Sequence, residues 1–320
     1  MPDISICMIS YNHGPFIAKA IDSILMQQTA YTFELVIGED YSTDDTKAIC
    51  EAYVKKYPGK IKLLPSDKNY GPAKNFIRTF EACTGKYIAL CEGDDYWIDK
   101  NKLQTQVGFL ESNNNYSLTF HDTYHIAGTK KTKSAKWDAP DTSDIHYLLS
   151  HRNYITTLSV VFRNHSAVIG FLKESIASPY LDFFVYVAVA QYGLLKFFPK
   201  RMGMYRVHQG GVWSKLGFIK AMEKTILGYQ IMYSKLPASQ KDSLKIRYLA
   251  ALEDYFLNSD AADYTADLQK LSIPEMAIEP YMIEFIKQNC EQRKKISHYV
   301  TAVPNKILVN SILHKIKNKF

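Results

Sequence analysis

The sequence predicts an α/β protein with a mostly parallel, doubly wound sheet, followed by a helical C-terminal extension. Four short apolar runs alternate with three segments of helical periodicity in the first third of the chain. Such alternation is typical of parallel strands that are joined by right-handed crossover helices. From about Leu216 onward the apolar residues recur at helical spacing. We therefore predict a first domain over residues 1–215 and a helical region over residues 216–320.

The first four strands and their helices follow from local signals. The first run is apolar almost throughout, as expected of a central strand that is covered on both faces. Pro15 stands where the first turn of a helix tolerates proline, and Ser42, Thr43 and Asp44 are candidate N-caps of the second helix. Strands are predicted at residues 4–10, 33–38, 61–64 and 86–91, and helices at residues 16–28, 73–83 and from the N-cap candidates to about Tyr57.

The remaining elements are less regular. Residues 129–144 are polar and predict a mobile loop, whereas residues 180–198 are apolar enough to resemble a membrane span. Asp182 and a break at Gly193 favour a buried helix followed by a strand instead. Helices are predicted at residues 101–111, 181–191, 218–236, 241–258, 261–271, 278–295 and 305–320, and strands at residues 117–125, 158–163, 194–198 and 203–208.

The composition describes an ordinary folded protein with a basic end. Hydrophobic residues make up 47% and charged residues 22% of the chain. Residues 287–320 hold eight Lys or Arg and one acid, so they account for the whole net charge of +7. A nucleic-acid-binding face in the main body is therefore disfavoured. The five cysteines show no paired spacing, which favours reduced residues in a cytoplasmic protein, and no basic segment precedes the first apolar run, so no signal peptide is predicted.

Three carboxylates, Glu92, Asp94 and Asp95, follow the fourth predicted strand. An open α/β sheet binds ligands at the carboxyl ends of its strands. Oxygen ligands at this density suit Mg²⁺ or Mn²⁺ rather than zinc. The alternative is a polar turn whose acids face water. Neither a dinucleotide-binding glycine fingerprint nor a P-loop motif occurs in the sequence, which disfavours both of those nucleotide-binding classes.

Several short motifs at the predicted strand ends occur in an order that is typical of one enzyme family. They are Ser10-Tyr11-Asn12, Glu39 to Asp44, Asn69-Tyr70-Gly71 and Glu92 to Trp97, followed by Asp182 in an apolar helix and by Arg206-Val207-His208. With these motifs the chain resembles the family 2 glycosyltransferases, the inverting group with the GT-A nucleotide-sugar fold, over about residues 3–213. Three residues depart from the family's pattern, because Glu39 and Glu92 replace Asp and Tyr41 replaces Gly.

The resemblance implies a divalent metal ion at the acidic motif. Asp94, with Asp95 and His208, would hold Mn²⁺ or Mg²⁺ against the diphosphate of a nucleotide sugar. Arg206 and His208 alternate along the last strand, so both side chains would project to one face and close over the diphosphate.

The resemblance also implies a nucleotide pocket at the ends of the first two strands. Asp40 would bind the base or the ribose, and Tyr11 would lie near the base. Alternatively, Asp40 caps the following helix, and Lys74 lies on a solvated helix face. The residues expected at the nucleotide sugar are Ser10, Tyr11, Asn12, Glu39, Asp40, Lys74, Glu92, Gly93, Asp94, Arg206 and His208.

Asp182 is the expected general base. A carboxylate that opens an apolar helix is partly desolvated, which raises its pKa and makes it a better base. Alternatively, Asp182 is an N-cap whose pKa is lowered by bonds from backbone amides. Asp122 is the second candidate for the base.

The expected function is a metal-dependent inverting glycosyltransferase. A UDP-sugar is the expected donor, and a glycan or lipid-linked oligosaccharide of a bacterial O-antigen or capsule is the expected acceptor. The alternatives are a non-catalytic module that binds a nucleotide sugar or a glycan, and a nucleotidyltransferase. The latter is expected to carry a glycine-rich basic loop where this chain has Tyr11-Asn12-His13-Gly14.

The basic amphipathic end, residues 305–320, allows two interpretations. It either packs on the body with its lysines in water or binds peripherally to an anionic membrane. We therefore expect a cytoplasmic protein, with a position on the inner face of the cell membrane as the alternative.

Overall fold

The computed structural model describes residues 1–133, 139–208, 210–211, 216–259 and 278–302, with side chains omitted for residues 133 and 295–302. The chain divides into two compact units. One unit comprises residues 1–215 and 234–236, and the other comprises residues 216–233 and 237–320.

The first unit is built on one mixed sheet. Its strands are β1 (Ile4–Ser10), β2 (Phe33–Glu39), β3 (Ile61–Leu63), β4 (Tyr87–Leu90), β5 (Tyr96–Trp97), β6 (Tyr116–Ala127), β7 (Lys130–Lys133), β8 (Thr142–Ser143), β9 (Val161–Arg163) and β10 (Leu194–Val207). They follow the order β3-β2-β1-β4-β9-β6-β10-β5, with β7 beside β6 and β8 beside β10.

The described helices surround this sheet or form the second unit. They are α1 (Gly14–Leu25), α2 (Thr46–Lys56), α3 (Pro72–Glu81), α4 (Lys102–Ser112), α5 (Ile145–Ser150), α6 (Ser166–Glu174), α7 (Asp182–Ala190), α8 (Phe218–Lys235), α9 (Ala238–Asn258) and α10 (Pro280–Ala302), with a 3₁₀ turn at Thr157–Ser159.

The sheet confirms the predicted α/β class and is mostly parallel in direction. β1 pairs in parallel with β2 and β4, and β2 pairs in parallel with β3. β9 is antiparallel to both β4 and β6, which returns β6 and its parallel neighbour β10 to the direction of β1. Six of the ten strands in the described residues therefore run the same way.

One face of β1 packs in the core. Ile4, Ile6 and Met8 are fully buried in one cluster with Ile17 and Ile21 of α1. The helical spacing of the α1 residues places them on the face that covers the sheet. Burial of each such side chain contributes about 1.5–3 kcal/mol. This packing therefore holds β1 in a fixed position against α1.

Two predicted strands form one continuous strand in the structure. β10 covers both residues 194–198 and residues 203–208 up to Val207, with register shifts between Phe198 and Arg201 and between Arg201 and Gly203. Pro199 has no N–H to donate and lies in this irregular stretch, where a bulge accommodates it. The sequence predicts two separate strands here, whereas the structure has one strand with a bulge between the two predicted segments.

The predicted mobile loop over residues 129–144 is partly ordered as strands. β7 pairs with the end of β6 as an antiparallel hairpin, and β8 pairs with β10, whereas residues 134–138 lie outside the described residues. Lys130 and Lys131 do not prevent strand pairing, because the edge strand β7 exposes both side chains to water.

The second unit is helical, as the sequence predicts. Tyr248, Leu252 and Phe256 of α9 are buried, as are Ile283 and Cys290 of α10, which packs against α9. The predicted helices at residues 261–271 and 305–320 lie outside the described residues. None of the described helices combines the length and the apolar character that a bilayer crossing requires.

Candidate active site

The carboxyl ends of β1, β2 and β4 lie side by side at one edge of the sheet. Ser10, at the end of β1, is opposite Glu39 at the end of β2. Beyond β4 the chain continues along β1, because the N–H of Gly93 donates to the carbonyl oxygen of Ile9 at 3.0 Å. Residues 92–95 are therefore held against the end of β1, where open α/β sheets bind ligands.

Gly93 makes this close approach feasible. A Cβ at residue 93 would lie 2.8 Å from both Ile17 Cδ1 and Ser10 Oγ, and 2.9 Å from His13 Nδ1. Non-bonded carbon atoms pack at about 3.5–4.0 Å, so a side chain here would displace either these three side chains or the acidic turn.

Glu92, Asp94 and Asp95 bring carboxylate oxygens within 4.8 Å of one another. Burial, with the charges of Asp94 and Asp182, raises the pKa of Glu92 to about 8. Burial and the charges of Asp94 and Glu92 also raise the pKa of Asp95. Asp95 Oδ2 is buried and has no hydrogen-bond partner among the described residues. A divalent cation would relieve this repulsion, and its preferred oxygen donors are present, so the cluster fits Mg²⁺ or Mn²⁺.

Two imidazoles approach the same oxygen of Asp94. His208 Nε2 lies 3.0 Å and His13 Nε2 lies 3.7 Å from Asp94 Oδ2. Burial lowers the pKa of His13, although the charge of Asp94 opposes this effect. The structure thus brings the predicted ligands Asp94, Asp95 and His208 together and adds Glu92 and His13 around them.

Arg206 is bonded to the acidic turn. Its backbone N–H donates to Asp95 Oδ1 at 2.7 Å, and its Nη1 donates to the carbonyl oxygen of Asp94. Its guanidinium carbon lies 5.0 Å from the ring centroid of Phe16 and 4.4 Å from that of Tyr96. Arg206 therefore fixes the shape of the turn, and its contact with a diphosphate stays a prediction.

Glu39 braces the loop that follows β2. Its carboxylate is buried and accepts the N–H of Ser42 at 2.7 Å, the N–H of Tyr41 at 3.2 Å and the hydroxyl of Ser66 at 3.2 Å. The longer arm of Glu compared with Asp thus reaches donors on its own loop and on the segment after β3.

Asp40 ties the loop after β2 to the connection before α3. Asp40 Oδ1 accepts the N–H of Tyr70 at 2.7 Å, and Oδ2 accepts the N–H of Gly71 at 2.9 Å. Asp40 does not cap α2, since Asp44 accepts the N–H of Thr46 at the start of that helix. The predicted contact of Asp40 with a base or ribose would use the remaining lone pairs of a carboxylate that is already oriented.

The turn after β1 presents Tyr11 beside this loop. Tyr11 is 45% exposed and Tyr41 is 50% exposed, and both follow the paired ends of β1 and β2. Asn12 Oδ1 accepts the N–H of Thr43 at 2.9 Å, which joins the two loops. Lys74 is exposed in the first turn of α3, and among the described residues no hydrogen bond or ion pair links it to the acidic turn.

Asp182 is the first residue of α7 and is half-buried. Its Oδ1 accepts the N–H of Phe183 at 2.8 Å, and its Oδ2 accepts the hydroxyl of Thr157 at 3.4 Å. Both bonds lower the pKa of Asp182, but burial outweighs them and raises it. The charge of Asp182 contributes to the raised pKa of Glu92, which places the two carboxylates in one electrostatic neighbourhood.

Asp122, the second candidate for the base, is engaged elsewhere. Its Oδ2 lies 2.6 Å from Arg201 Nη2, and its Oδ1 accepts the N–H of Thr123 at 2.8 Å. Both carboxylate oxygens of Asp122 therefore already have partners, and Asp182 stays the first candidate for the base.

The sequence model of the family described as "Glycosyl transferase family 2" matches residues 5–174, more than half of the chain. The chain belongs to glycosyl transferase family 2. An uncharacterised protein of Mycobacterium tuberculosis is 33% identical over 212 residues, an alignment that covers 66% of this chain and 60% of the relative. The family 2 chain therefore spans less than two thirds of the length of that curated relative.

Two solved structures share the fold of this family 2 member. Residues 1–349 of Staphylococcus aureus TarS, in complex with UDP-GlcNAc, align with a TM-score of 0.59 at 17% identity, over 91% of this chain and 92% of that TarS segment. The mannosyltransferase PcManGT of Pyrobaculum calidifontis, in complex with GDP-Man and Mn²⁺, aligns with a TM-score of 0.56 at 14% identity, over 89% of this chain and 85% of PcManGT. The expected GT-A fold is thereby confirmed.

Two residues that stabilise the site, Arg78 and His13, were not predicted from the family 2 motifs. Arg78 donates to the carbonyl oxygens of Glu39 and Pro65 at 2.8 Å each, and thus ties the ends of β2 and β3 together. His13 approaches Asp94 from the turn after β1. Arg78 has no sequence signal, because two of its three hydrogen-bond acceptors are backbone carbonyls of distant segments, whereas His13 adjoins the Ser10-Tyr11-Asn12 motif.

Proposed function

We propose that this chain is a metal-dependent inverting glycosyltransferase that moves a sugar from a nucleoside diphosphate to an acceptor hydroxyl. The observation that carries the proposal is the cluster of Glu92, Asp94 and Asp95 at the carboxyl end of β4, together with Asp182 at the start of α7, whose charge acts on Glu92. A leaving diphosphate requires positive charge, and an acceptor hydroxyl requires a base. The acidic cluster would hold the cation that supplies this charge, and Asp182 would supply the base.

Asp94, Asp95 and His208 would hold Mn²⁺ or Mg²⁺. The unpartnered Oδ2 of Asp95 and the imidazole already 3.0 Å from Asp94 support this ligand set. When bound, the ion would neutralise charge on the diphosphate as it leaves. The structural neighbour PcManGT was solved with Mn²⁺, which supports a divalent cation in this fold.

The nucleotide would lie over the loops after β1 and β2. Tyr11 and Tyr41 offer exposed aromatic faces for the base, and Asp40 has a fixed carboxylate for the base or the ribose. We propose a UDP-sugar as donor, because residues 1–349 of TarS, which align with most of this chain, were solved with UDP-GlcNAc.

Asp182 would act as the general base. As the acceptor oxygen bonds to the anomeric carbon, its proton passes to the Asp182 carboxylate, and the bond from that carbon to the diphosphate breaks with its electron pair on phosphate oxygen. Attack on the face opposite the leaving group inverts the anomeric configuration. The raised pKa of Asp182 supports this role, because a more basic carboxylate accepts the proton more readily.

The acceptor proposed is a glycan or lipid-linked oligosaccharide of a bacterial surface polysaccharide such as O-antigen or capsule, in keeping with the family resemblance. A cytoplasmic protein with peripheral membrane contact through residues 305–320 would fit a lipid-linked acceptor. Binding of the full chain and of a chain truncated before residue 305 to anionic liposomes tests this contact, and equal binding contradicts it.

A donor screen tests the enzymatic proposal. UDP-, GDP- and dTDP-sugars are incubated with Mn²⁺, and release of nucleoside diphosphate is measured for the wild type, Asp94→Ala and Asp182→Ala, with circular dichroism as the folding control. We expect turnover of a UDP-sugar that both substitutions abolish. Full activity in both folded variants would refute the mechanism.

A further inference from the structure

Phe16, on α1, contacts both residues that the end of β10 brings to the acidic turn. Its ring centroid lies 4.7 Å from the ring centroid of His208 and 5.0 Å from the guanidinium carbon of Arg206. The same guanidinium carbon lies 4.4 Å from the ring centroid of Tyr96 on β5. We call Phe16 and Tyr96 the aromatic clamp, because Arg206 contacts a ring from each of two different elements.

Sheet pairing alone does not position the His208 imidazole. The ladder between β10 and β6 ends at Val207, one residue before His208. Beyond that point the imidazole contacts Asp94 Oδ2 at 3.0 Å, accepts the N–H of Gly210 at 3.2 Å and packs on the Phe16 ring. Of these three contacts, the one with the Phe16 ring is made by a helix, α1.

Arg206 links the aromatic clamp to the carboxylates. Its N–H bonds to Asp95 Oδ1 and its Nη1 bonds to the carbonyl oxygen of Asp94. An aromatic face attracts a guanidinium through the ring quadrupole, and the attraction is stronger when the pair is partly desolvated. Leu at residue 16 would preserve apolar packing but would lack this attraction.

We propose that Phe16 is a positioning residue for the metal site, whose ring holds Arg206 and His208 against the Asp94-Asp95 turn. The part of this inference that concerns metal affinity rests on the proposed function. Groups that orient metal ligands typically change metal affinity about tenfold or more when they are removed. The ring thereby pre-organises the ligands before a cation arrives.

The test compares Phe16→Leu, Phe16→Tyr and Phe109→Leu in the full chain. Phe109 is a matched control, because it is also half-buried on a helix, contacts two aromatic rings and has Lys196 Nζ 5.8 Å from its centroid. Two readouts are used, namely amide hydrogen exchange of residues 203–207 in metal-free protein and Mn²⁺ affinity by calorimetric titration.

We expect Phe16→Leu to speed exchange at the Arg206 amide and to weaken Mn²⁺ binding, each about tenfold. Phe16→Tyr keeps the ring and should change both by less than about twofold. Phe109→Leu should leave both unchanged.

Unchanged exchange or unchanged Mn²⁺ affinity in Phe16→Leu, beside a wild type that binds Mn²⁺, would overturn the inference. Faster exchange throughout β1 to β4 would also overturn it, since the ring would then serve only general stability. If exchange at Arg206 rises selectively and the wild type binds no Mn²⁺, the positioning role holds and the metal dependence of the proposed function fails.

Discussion

Replacing Lys102 by Met is expected to stabilise the protein at pH 6 and to have a much smaller effect at pH 10. Lys102 opens α4 and is fully buried, and its Nζ has no hydrogen-bond partner among the described residues. The ammonium lies 4.2 Å from the ring centroid of Trp97. Burial lowers the pKa of Lys102 from 10.5 to about 7. The unfolded chain therefore holds this proton more tightly than the folded chain does.

The magnitude follows from linkage between protonation and folding. At about 1.4 kcal/mol per pH unit between the two pKa values, the buried charge costs about 5 kcal/mol below pH 7. Contact with the Trp97 ring offsets up to about 2 kcal/mol of this cost. The destabilisation is complete below the folded pKa and disappears as the pH rises through the unfolded pKa. Between pH 6 and pH 10 the Lys102→Met advantage should fall by about 2–4 kcal/mol.

Urea unfolding of the wild type and Lys102→Met at both pH values measures this advantage. Lys100→Met is the control, since Lys100 is exposed two residues earlier and its effect should be small and independent of pH. An advantage of Lys102→Met that is the same at pH 6 and pH 10 would refute the burial argument.

Three further predictions concern the site. Tyr41 has a φ of 61°, a left-handed conformation that is unfavourable for a residue with a Cβ. Tyr41→Gly should therefore raise the free energy of unfolding by about 1 kcal/mol in chemical denaturation, while it weakens UDP binding. A destabilised variant would contradict this. Gly93→Ala should abolish Mn²⁺ binding in calorimetry, because the added Cβ would lie within 2.9 Å of three side-chain atoms. If the variant bound Mn²⁺ with wild-type affinity, the acidic turn could move freely and the prediction would be wrong. Burial raises the pKa of Asp182, so the transfer rate should fall as the pH drops through that raised value. The residual activity of Asp182→Asn should lack this fall at acid pH. An identical pH profile in both proteins would exclude Asp182 as the titrating base.

Local signals sufficed to predict the acidic turn at the end of β4. The apolar run of β4 and the carboxylates after it predicted an acidic turn at a strand end, and the parallel direction of β1, β2 and β4 follows from alternation with helices. Asp94, Asp95 and His208 come together as expected, because strand ends in a parallel sheet meet at one edge.

Contacts between distant segments could not be predicted in the same way. β9 inserts antiparallel between β4 and β6, a pairing that depends on the whole sheet rather than on three residues. The bonds of Asp40 to Tyr70 and Gly71 join loops about thirty residues apart. The ion pair that engages Asp122 likewise required the position of Arg201 on β10.

The central claim is that Asp94 and Asp182 serve the two halves of one inverting transfer. The most direct measurement follows the anomeric configuration of the product by proton NMR, with a UDP-sugar, Mn²⁺ and an oligosaccharide acceptor, for the wild type, Asp94→Asn and Asp182→Asn. We expect an inverted product from the wild type, lost Mn²⁺ binding in Asp94→Asn, and retained Mn²⁺ and UDP binding with only residual transfer in Asp182→Asn. A product with retained configuration, or undiminished transfer by Asp182→Asn, would contradict it.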